Sequence, residues 1–256
     1  MFNAGGTVVP MVEQGLQVDL SSYGHFVLLI DKQDANSAAW NSPGPLKYCH
    51  MAARSLDPAL LAHELGHMYG APHANLDTPA GPREYGDQFC VMGNEGDKYT
   101  FMNASLGASS GPGMVAPILL SCNWLDLTQP HVGTDFGPTF GSGGSNEMVC
   151  ELTPLRGAPP EGWSGPTVVA WADGLIANQR FMIEFRARDG WDRGMPDPGS
   201  GDGWIVAHLT ESARPGAYSL QVASIAADAN AKLHLPGTAI TATVTAFDAD
   251  RSTVTL

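Results

Sequence analysis

Three histidines and one glutamate fall within residues 63–73, and their spacing suits a metal ion. The stretch reads His-Glu-Leu-Gly-His-Met-Tyr-Gly-Ala-Pro-His, which is the pattern H-E-x-x-H-x-x-G-x-x-H. On a helix, His63 and His67 project from the same side, about 6 Å apart along the axis. Gly70 allows the chain to leave the helix sharply because glycine accepts positive φ. That turn can return His73 to the same point as a third imidazole.

The donor types predict which metal binds and what it does. Three neutral imidazoles leave one open position on a tetrahedral ion, which is typical of catalytic rather than structural zinc. Glu64 lies about 100° around the helix from His63, where it can reach a water molecule without binding the metal. We therefore expect one catalytic Zn²⁺ held by His63, His67 and His73. Glu64 would be the catalytic general base, and then the proton donor to a leaving amine.

The zinc motif needs a helix, and the flanking residues supply its boundaries. Asp57 is a good N-cap, and Pro58 suits the first helical position. Residues 59–69 are rich in helix formers, while Gly70 is a natural stop with Pro72 just beyond it. The sequence therefore predicts a helix that begins at about residue 58 and ends just before Gly70.

Apolar runs on either side of this helix predict strands. Before it, residues 1–30 are expected to form strands, most clearly at 25–31, and residues 46–53 form another. We expect the strand at 46–53 to be the edge strand of a cleft, pairing with an extended peptide. A linker-like run at 137–146 precedes strands predicted at 167–172, 180–187, 203–210, 218–226, 238–247 and 252–256. The predicted domains are therefore 1–136 and a β-rich domain at 137–256.

The charge and composition of the chain limit the classes of binding partner that we expect. The chain has 256 residues and a net charge of −13, with only 13 Lys and Arg residues. No basic stripe is present, so neither nucleic acid nor an anionic membrane is an expected partner. No apolar run reaches the ~18 residues of a membrane-spanning helix. The acidic composition favours a secreted protein, which we expect to be a monomer. Residues 1–10 lack the features of a signal peptide, so either a signal was removed or the chain is a fragment.

A second motif, together with the first, resembles the metzincin zinc metallopeptidases. Residues 85–93 read Tyr-Gly-Asp-Gln-Phe-Cys-Val-Met-Gly, and Met92 lies 19 residues after His73. The resemblance implies that Met92 is the Met-turn methionine, an apolar floor beneath the ligands rather than a ligand. No tyrosine stands two residues after Met92, so the metal-facing tyrosine of astacins and serralysins is absent. Zinc, Tyr85 or backbone amides would then stabilise the oxyanion, with Tyr85 also a candidate substrate contact.

Within the metzincins, the chain is most similar to the gametolysin family. His73-Ala-Asn, Tyr85-Gly-Asp and Met92-Gly resemble that family's H-A-N and Y-G-D-x-x-x-x-M-G pattern. Residues 181–209 resemble a β-rich segment of gametolysin-like and immune-inhibitor-A-like peptidases, in which His208 is expected to be a core or rim histidine rather than a ligand. Asn123-Trp-Leu resembles the G-W-L that closes the zinc domain, with Asn in place of Gly.

The resemblance implies an α+β fold and a hydrolytic function. The fold would be a metzincin-like zinc peptidase domain with a reduced N-terminal sheet and one active-site helix, followed by a β-rich, sandwich-like region. The function would be that of a secreted zinc endopeptidase whose polypeptide substrate binds as an extended strand. The alternative is a catalytically vestigial zinc-binding protein whose β-rich half binds protein or glycan.

Cysteines and aspartates suggest two further features. Since no C-x-x-C pair occurs, neither a cysteine zinc site nor a dithiol redox centre is expected. The four cysteines are expected to pair as Cys49–Cys90 and Cys122–Cys150; the alternative is that they are reduced, buried thiols.

Ca²⁺ is a second candidate metal, because turn aspartates offer oxygen ligands. The alternative is that these aspartates are solvated; they are Asp197, Asp202, Asp248 and Asp250.

Overall fold

The computed structural model has mixed α+β secondary structure with many strands and few helices, as the sequence predicts. It describes residues 11–30, 38–40, 47–52, 57–93, 99–129, 132–135, 149–154, 169–173, 175–199, 203–211, 218–228, 230–238, 240–247 and 252–255. Among the helices in these ranges, none combines the length and the apolar character that crossing a membrane requires.

The chain divides into two compact units, Met1–Gly70 and Ala71–Leu256. The predicted domain boundary after residue 136 therefore falls inside the second unit. The reason is hydrogen bonding, because short strands at residues 74–76 and 133–135 complete the two edges of a sheet formed by later residues.

The first unit contains a small sheet and the predicted helix. Residues 11–16 form a short helix, α1, where a strand was expected. The other elements of this unit are β1 (His25–Ile30), β2 (Ala38–Trp40), β3 (Lys47–Ala52) and α2 (Pro58–Met68). The three strands form a sheet in the order β1-β3-β2, with β3 parallel to β1 and antiparallel to β2.

The central position of β3 corrects one prediction. The stretch at 46–53 was expected to be an edge strand, but β3 pairs with β1 on one side and β2 on the other. Backbone N–H and C=O groups of β3 are therefore already paired within the sheet and are not free to bind an extended substrate. Within the part of the chain that the structure describes, β1 and β2 are the outer strands of this sheet. The sequence could not show this, because β2 is only three residues long.

Local interactions set both ends of α2, as predicted. Asp57 Oδ1 accepts hydrogen bonds from the backbone N–H groups of Ala59 (2.8 Å) and Leu60 (3.0 Å). These bonds satisfy donors that the first helical turn leaves unpaired. At the other end, the Tyr69 N–H donates to the carbonyls of Leu65 and Gly66. Gly70 then turns the chain with φ of +94°.

The second unit contains two larger sheets and a hairpin. Its elements are β4 (Ala74–Leu76), β5 (Phe101–Asn103), β6 (Ala108–Ser110), α3 (Ala116–Ser121), β7 (Gly133–Asp135), β8 (Val149–Leu152), β9 (Val169–Asp173), β10 (Gln179–Ala187), a 3-10 turn (Gly190–Asp192), β11 (Gly203–Glu211), β12 (Ser219–Ala226), β13 (Lys232–His234), β14 (Thr241–Phe247) and β15 (Ser252–Thr255).

The strands of the second unit form a six-stranded sheet in the order β4-β12-β11-β10-β9-β7 and a four-stranded sheet in the order β13-β14-β15-β8. The predicted strands from 167 to 256 are confirmed as β9, β10, β11, β12, β14 and β15, while β7, β8 and β13 were not predicted.

Strands β10 and β11 are buried on both faces. Alternate residues of a strand point to opposite faces, and on one face the apolar side chains pack with residues from the four-stranded sheet into the main core. The opposite face carries Glu184, Arg186 and His208, each no more than 1% exposed. We call these three residues the charged face of β10–β11.

The end of α3 explains the Asn that replaces the expected Gly. Asn123 directly follows the C-cap of α3 and has φ of +56°. Glycine adopts this conformation most readily, and asparagine tolerates it better than most other residues. The Trp124 N–H donates to the Leu119 carbonyl and closes the turn. Asn123 therefore meets the same backbone requirement as a glycine would.

Candidate metal centre

The two histidines of α2 point at a common position. His63 Nε2 and His67 Nε2 lie 3.1 Å apart, and His63 is only 4% exposed. Two nitrogens bound to one tetrahedral zinc ion at about 2.0 Å would lie about 3.3 Å apart. The spacing within the pair is therefore close to what a single zinc ion requires.

His73 completes the group of candidate ligands. One ligand nitrogen from each of His63, His67 and His73 can be chosen so that all three lie within 4.8 Å of one another. Among the described residues, this is the group of histidine, cysteine and acidic side chains placed to hold a metal ion. Three imidazoles fit zinc by donor type.

Glu84 contacts the third candidate ligand, a contact that the sequence reasoning missed. Its Oε1 lies 2.7 Å from His73 Nδ1. A carboxylate on one imidazole nitrogen fixes the tautomer and presents the other nitrogen, Nε2, to a metal. The available signal was an acidic residue directly before the Tyr85-Gly-Asp motif, but 11 residues separate Glu84 from His73.

The ring of Tyr85 packs against the imidazole ring of His73. The ring centroids of Tyr85 and His73 lie 3.9 Å apart, with their planes tilted by 38°. Tyr85 also has φ of +59°, which turns the backbone at the start of the motif. Tyr85 therefore supports the orientation of His73. Its role in stabilising an oxyanion or contacting substrate stays a prediction.

Met92 lies in a buried turn that is bonded to the residue after His73. The Ala74 N–H donates to the Met92 carbonyl at 3.0 Å, and Met92 is fully buried. The turn is tight because the Gly93 N–H donates to the Cys90 carbonyl at 2.8 Å. The backbone of the Met92 turn thus lies directly beside the segment that carries the third candidate ligand.

Glu64 is buried on α2 beside a cysteine of β3. Its side chain is on the buried face of the helix, with an exposure of 6%. Burial raises the pKa of Cys49 to about 11, and the negative charge of Glu64 contributes to that rise. Glu64 therefore combines a position next to His63 in the chain with a water-poor environment, which suits a general base.

The predicted disulfides are wrong. Cys49 and Cys90 are buried free thiols. Cys122 is likewise a thiol rather than half of a disulfide, with its Sγ 3.8 Å from Ser121 Oγ, and the Cys150 side chain lies outside the described residues. Burial raises the pKa of Cys90, and the Asp87 charge adds to the effect. The Cys90 Sγ accepts a hydrogen bond from the Met92 N–H at 3.4 Å, so this thiol helps to form the turn.

Asp197, one of the four aspartates considered as Ca²⁺ ligands, contacts other groups of the protein. Asp197 Oδ1 accepts a hydrogen bond from the Gly199 N–H at 2.8 Å, and its Oδ2 lies 3.7 Å from Arg188 Nη1. This fits the alternative of a turn aspartate. The other three candidates, Asp202, Asp248 and Asp250, lie outside the described residues.

No protein-family model matches this chain, and neither does any curated protein or solved structure. The resemblance to metzincins therefore stays a prediction from the motifs. Function has to be inferred from the chemistry of the three histidines, Glu64 and the residues that orient them.

Proposed function

We propose that this protein is a secreted zinc endopeptidase of the metzincin type that hydrolyses peptide bonds of protein substrates. The observation that supports it is the convergence of His63, His67 and His73 to within 4.8 Å, with Glu64 next in the chain to the first of them. Zn²⁺ bound there would polarise the scissile carbonyl and lower the pKa of a water molecule toward ~7.

Each residue of the site has a defined task. The three imidazoles hold the metal and leave a position open for reactants, because no fourth histidine, cysteine or acidic side chain among the described residues belongs to the group. Glu64 takes the proton from the attacking water and then delivers it to the leaving amine. The buried position of Glu64 supports this proton transfer, since few solvent molecules compete for its carboxylate.

A polypeptide substrate is part of the proposal. Proteases commonly bind peptides as an added strand, which requires an edge strand with unpaired backbone groups. Among the described residues, β1 and β2 are the outer strands of the three-stranded sheet and β3 is not. We therefore transfer the role proposed for residues 46–53 to one of these two strands.

Casein cleavage tests the function. The unmodified protein should cleave casein, and both a zinc chelator and Glu64→Ala should abolish cleavage. Because Glu64 is not a ligand, Glu64→Ala should still bind one Zn²⁺ per chain. Glu211→Ala is the matched control, since Glu211 is an exposed glutamate on β11, and it should keep full activity.

Two results would contradict the proposal. Cleavage that persists in Glu64→Ala would remove Glu64 from the mechanism. A pure, folded protein that binds one zinc ion but never cleaves casein would favour the vestigial zinc-binding alternative.

A further inference from the structure

Residues 84–93 surround the segment that carries the third ligand, and we call them the bracing loop. Glu84 and Tyr85 contact the His73 side chain directly. The backbone of Ala74 is held twice, because its N–H donates to the Met92 carbonyl (3.0 Å) and its carbonyl accepts from the Asp87 N–H (3.3 Å). The position of His73 therefore depends on where this loop lies.

The bracing loop is anchored by a buried hydrogen bond to the charged face of β10–β11. Asp87 Oδ2 lies 3.0 Å from His208 Nε2, although 121 residues separate the two in the chain. Both side chains are fully buried. The other oxygen of Asp87, Oδ1, accepts a hydrogen bond from the Phe89 N–H at 2.9 Å. Asp87 thus joins the loop to itself and to the sheet.

Arg186 forms a second anchor from the neighbouring strand. Its Nη2 donates to the Phe89 carbonyl at 3.1 Å, and its Nη1 donates to the Met114 carbonyl at 2.9 Å. Asp192 balances the charge with two hydrogen bonds, from Arg186 Nε at 2.8 Å and Nη2 at 2.6 Å. Two adjacent strands therefore bind two nearby positions of the loop.

Glu184 completes the charged face. Its Oε1 lies 3.5 Å from His208 Nδ1 without forming a hydrogen bond, and its Oε2 lies 3.6 Å from Arg186 Nη1. Burial raises the pKa of Glu184, and the positive charge of Arg186 opposes that rise. His208 thus has a carboxylate near each ring nitrogen, and its one aligned hydrogen bond goes to Asp87.

We propose that His208 is a positioning residue of the metal centre, which acts by donating a hydrogen bond to Asp87 and so fixing the bracing loop around His73. This inference rests on the proposed function. The inference goes beyond the proposed function because it assigns a role in the metal centre to a histidine that lies far along the chain from the three candidate ligands. The loop contains no helix or strand, so contacts such as this one must fix its position.

Three variants test the proposal. His208→Leu fills similar space but has no donor, whereas His208→Gln keeps an N–H donor toward Asp87. Val244→Ala is the control, because it removes buried volume from β14 in the four-stranded sheet, away from the loop. Each protein is measured for Zn²⁺ affinity by chelator competition, for the exchange rate of the Ala74 amide without metal, and for stability in urea.

His208→Leu should bind Zn²⁺ a few-fold to about 10-fold more weakly, because His208 acts through the bracing loop and the loss of a group bonded directly to a metal ligand weakens binding about 10-fold to 100-fold. Its Ala74 amide should also exchange faster. His208→Gln should recover part of both losses, while Val244→Ala should lose stability and change neither. If His208→Leu does not fold, Asp87→Asn is measured in its place, since it keeps the shape of the pair and removes its charge.

The outcomes separate this inference from the proposed function. A folded His208→Leu protein with unchanged zinc affinity and Ala74 exchange would overturn it, as would equal losses in Val244→Ala. If the unmodified protein binds zinc but cleaves nothing, the peptidase proposal fails and the zinc affinities still decide the role of His208. If it binds no zinc, His208 cannot position a metal ligand and both proposals fall.

Discussion

The Oε1 atom of Glu84 lies 2.7 Å from Nδ1 of His73, so a carboxylate holds the third candidate ligand of the metal centre. The Glu84 side chain is 67% exposed and that of His73 is 25% exposed. Solvent screens a pair at this depth, which weakens its effect on folding stability. Its effect on metal binding is greater, because the hydrogen bond sets the tautomer and direction of the imidazole.

Replacing Glu84 should therefore weaken metal binding more than folding. We expect Glu84→Ala to reduce Zn²⁺ affinity about 10-fold. Glu84→Gln should lose less, because its amide oxygen still accepts the Nδ1 hydrogen. Chelator competition measures the affinity, and Glu211→Gln is the control at another exposed glutamate. Equal affinities for Glu84→Ala and the unmodified protein would show that the hydrogen bond does not orient His73.

Removing the N-cap of α2 should destabilise the helix that carries two candidate ligands. Asp57→Ala leaves the N–H groups of Ala59 and Leu60 without their side-chain acceptor. We expect the free energy of unfolding to fall by about 1 kcal/mol. Urea unfolding followed by circular dichroism at 222 nm measures the change. Asp57→Asn should retain most of the stability, and a loss as large as that of Asp57→Ala would argue against a capping role.

The bracing loop should not tolerate a side chain at position 93. A Cβ on Gly93 would overlap the backbone carbonyl oxygen of Asp87 and approach that of Cys90. Backbone atoms cannot rotate away as a flexible side chain can, so Gly93→Ala should cost about 1–3 kcal/mol in the free energy of unfolding. It should also weaken zinc binding, because Asp87 and Met92 both contact Ala74. Gly15→Ala is the matched control, since its Cβ would meet open space.

Cys49 should make the protein less stable at alkaline pH. Burial, with a contribution from the charge of Glu64, raises the pKa of Cys49 to about 11, whereas a thiol in an unfolded chain titrates near ~8.5. The folded state thus prefers the protonated thiol. This stabilisation is complete below pH ~8.5 and is lost as the pH rises toward about 11.

Urea unfolding of the zinc-free protein from pH 7 to 11 tests this. The free energy of unfolding should fall less steeply with pH in Cys49→Ala than in the unmodified protein. Parallel curves would show that Cys49 titrates alike in the folded and unfolded chains.

Several features of the site follow from the sequence because local interactions determine them. Asp57, Pro58 and Gly70 predicted the bounds of α2 to within a residue or two, since capping and positive φ act within one turn. The spacing of His63 and His67 predicted a shared position because helical geometry is fixed. The long strands β10, β11 and β12 were also predicted, since alternation and turn residues are local signals.

Tertiary structure decided what lies beside these elements. The sequence predicted a strand at β3, but pairing with β1 and β2 made it central rather than an edge. It showed four cysteines, but packing placed Cys49 and Cys90 as separate buried thiols.

The sequence contains His208 and Asp87 as separate residues of unrelated segments. Only the placement of β11 against the bracing loop brings Asp87 Oδ2 to 3.0 Å from His208 Nε2. Helix caps and strand alternation depend on neighbours within a few residues, so the sequence by itself determines them. Strand order, buried polar contacts and the contacts that support a candidate metal ligand depend on residues far apart in the chain. The free energy of packing the whole chain selects those contacts.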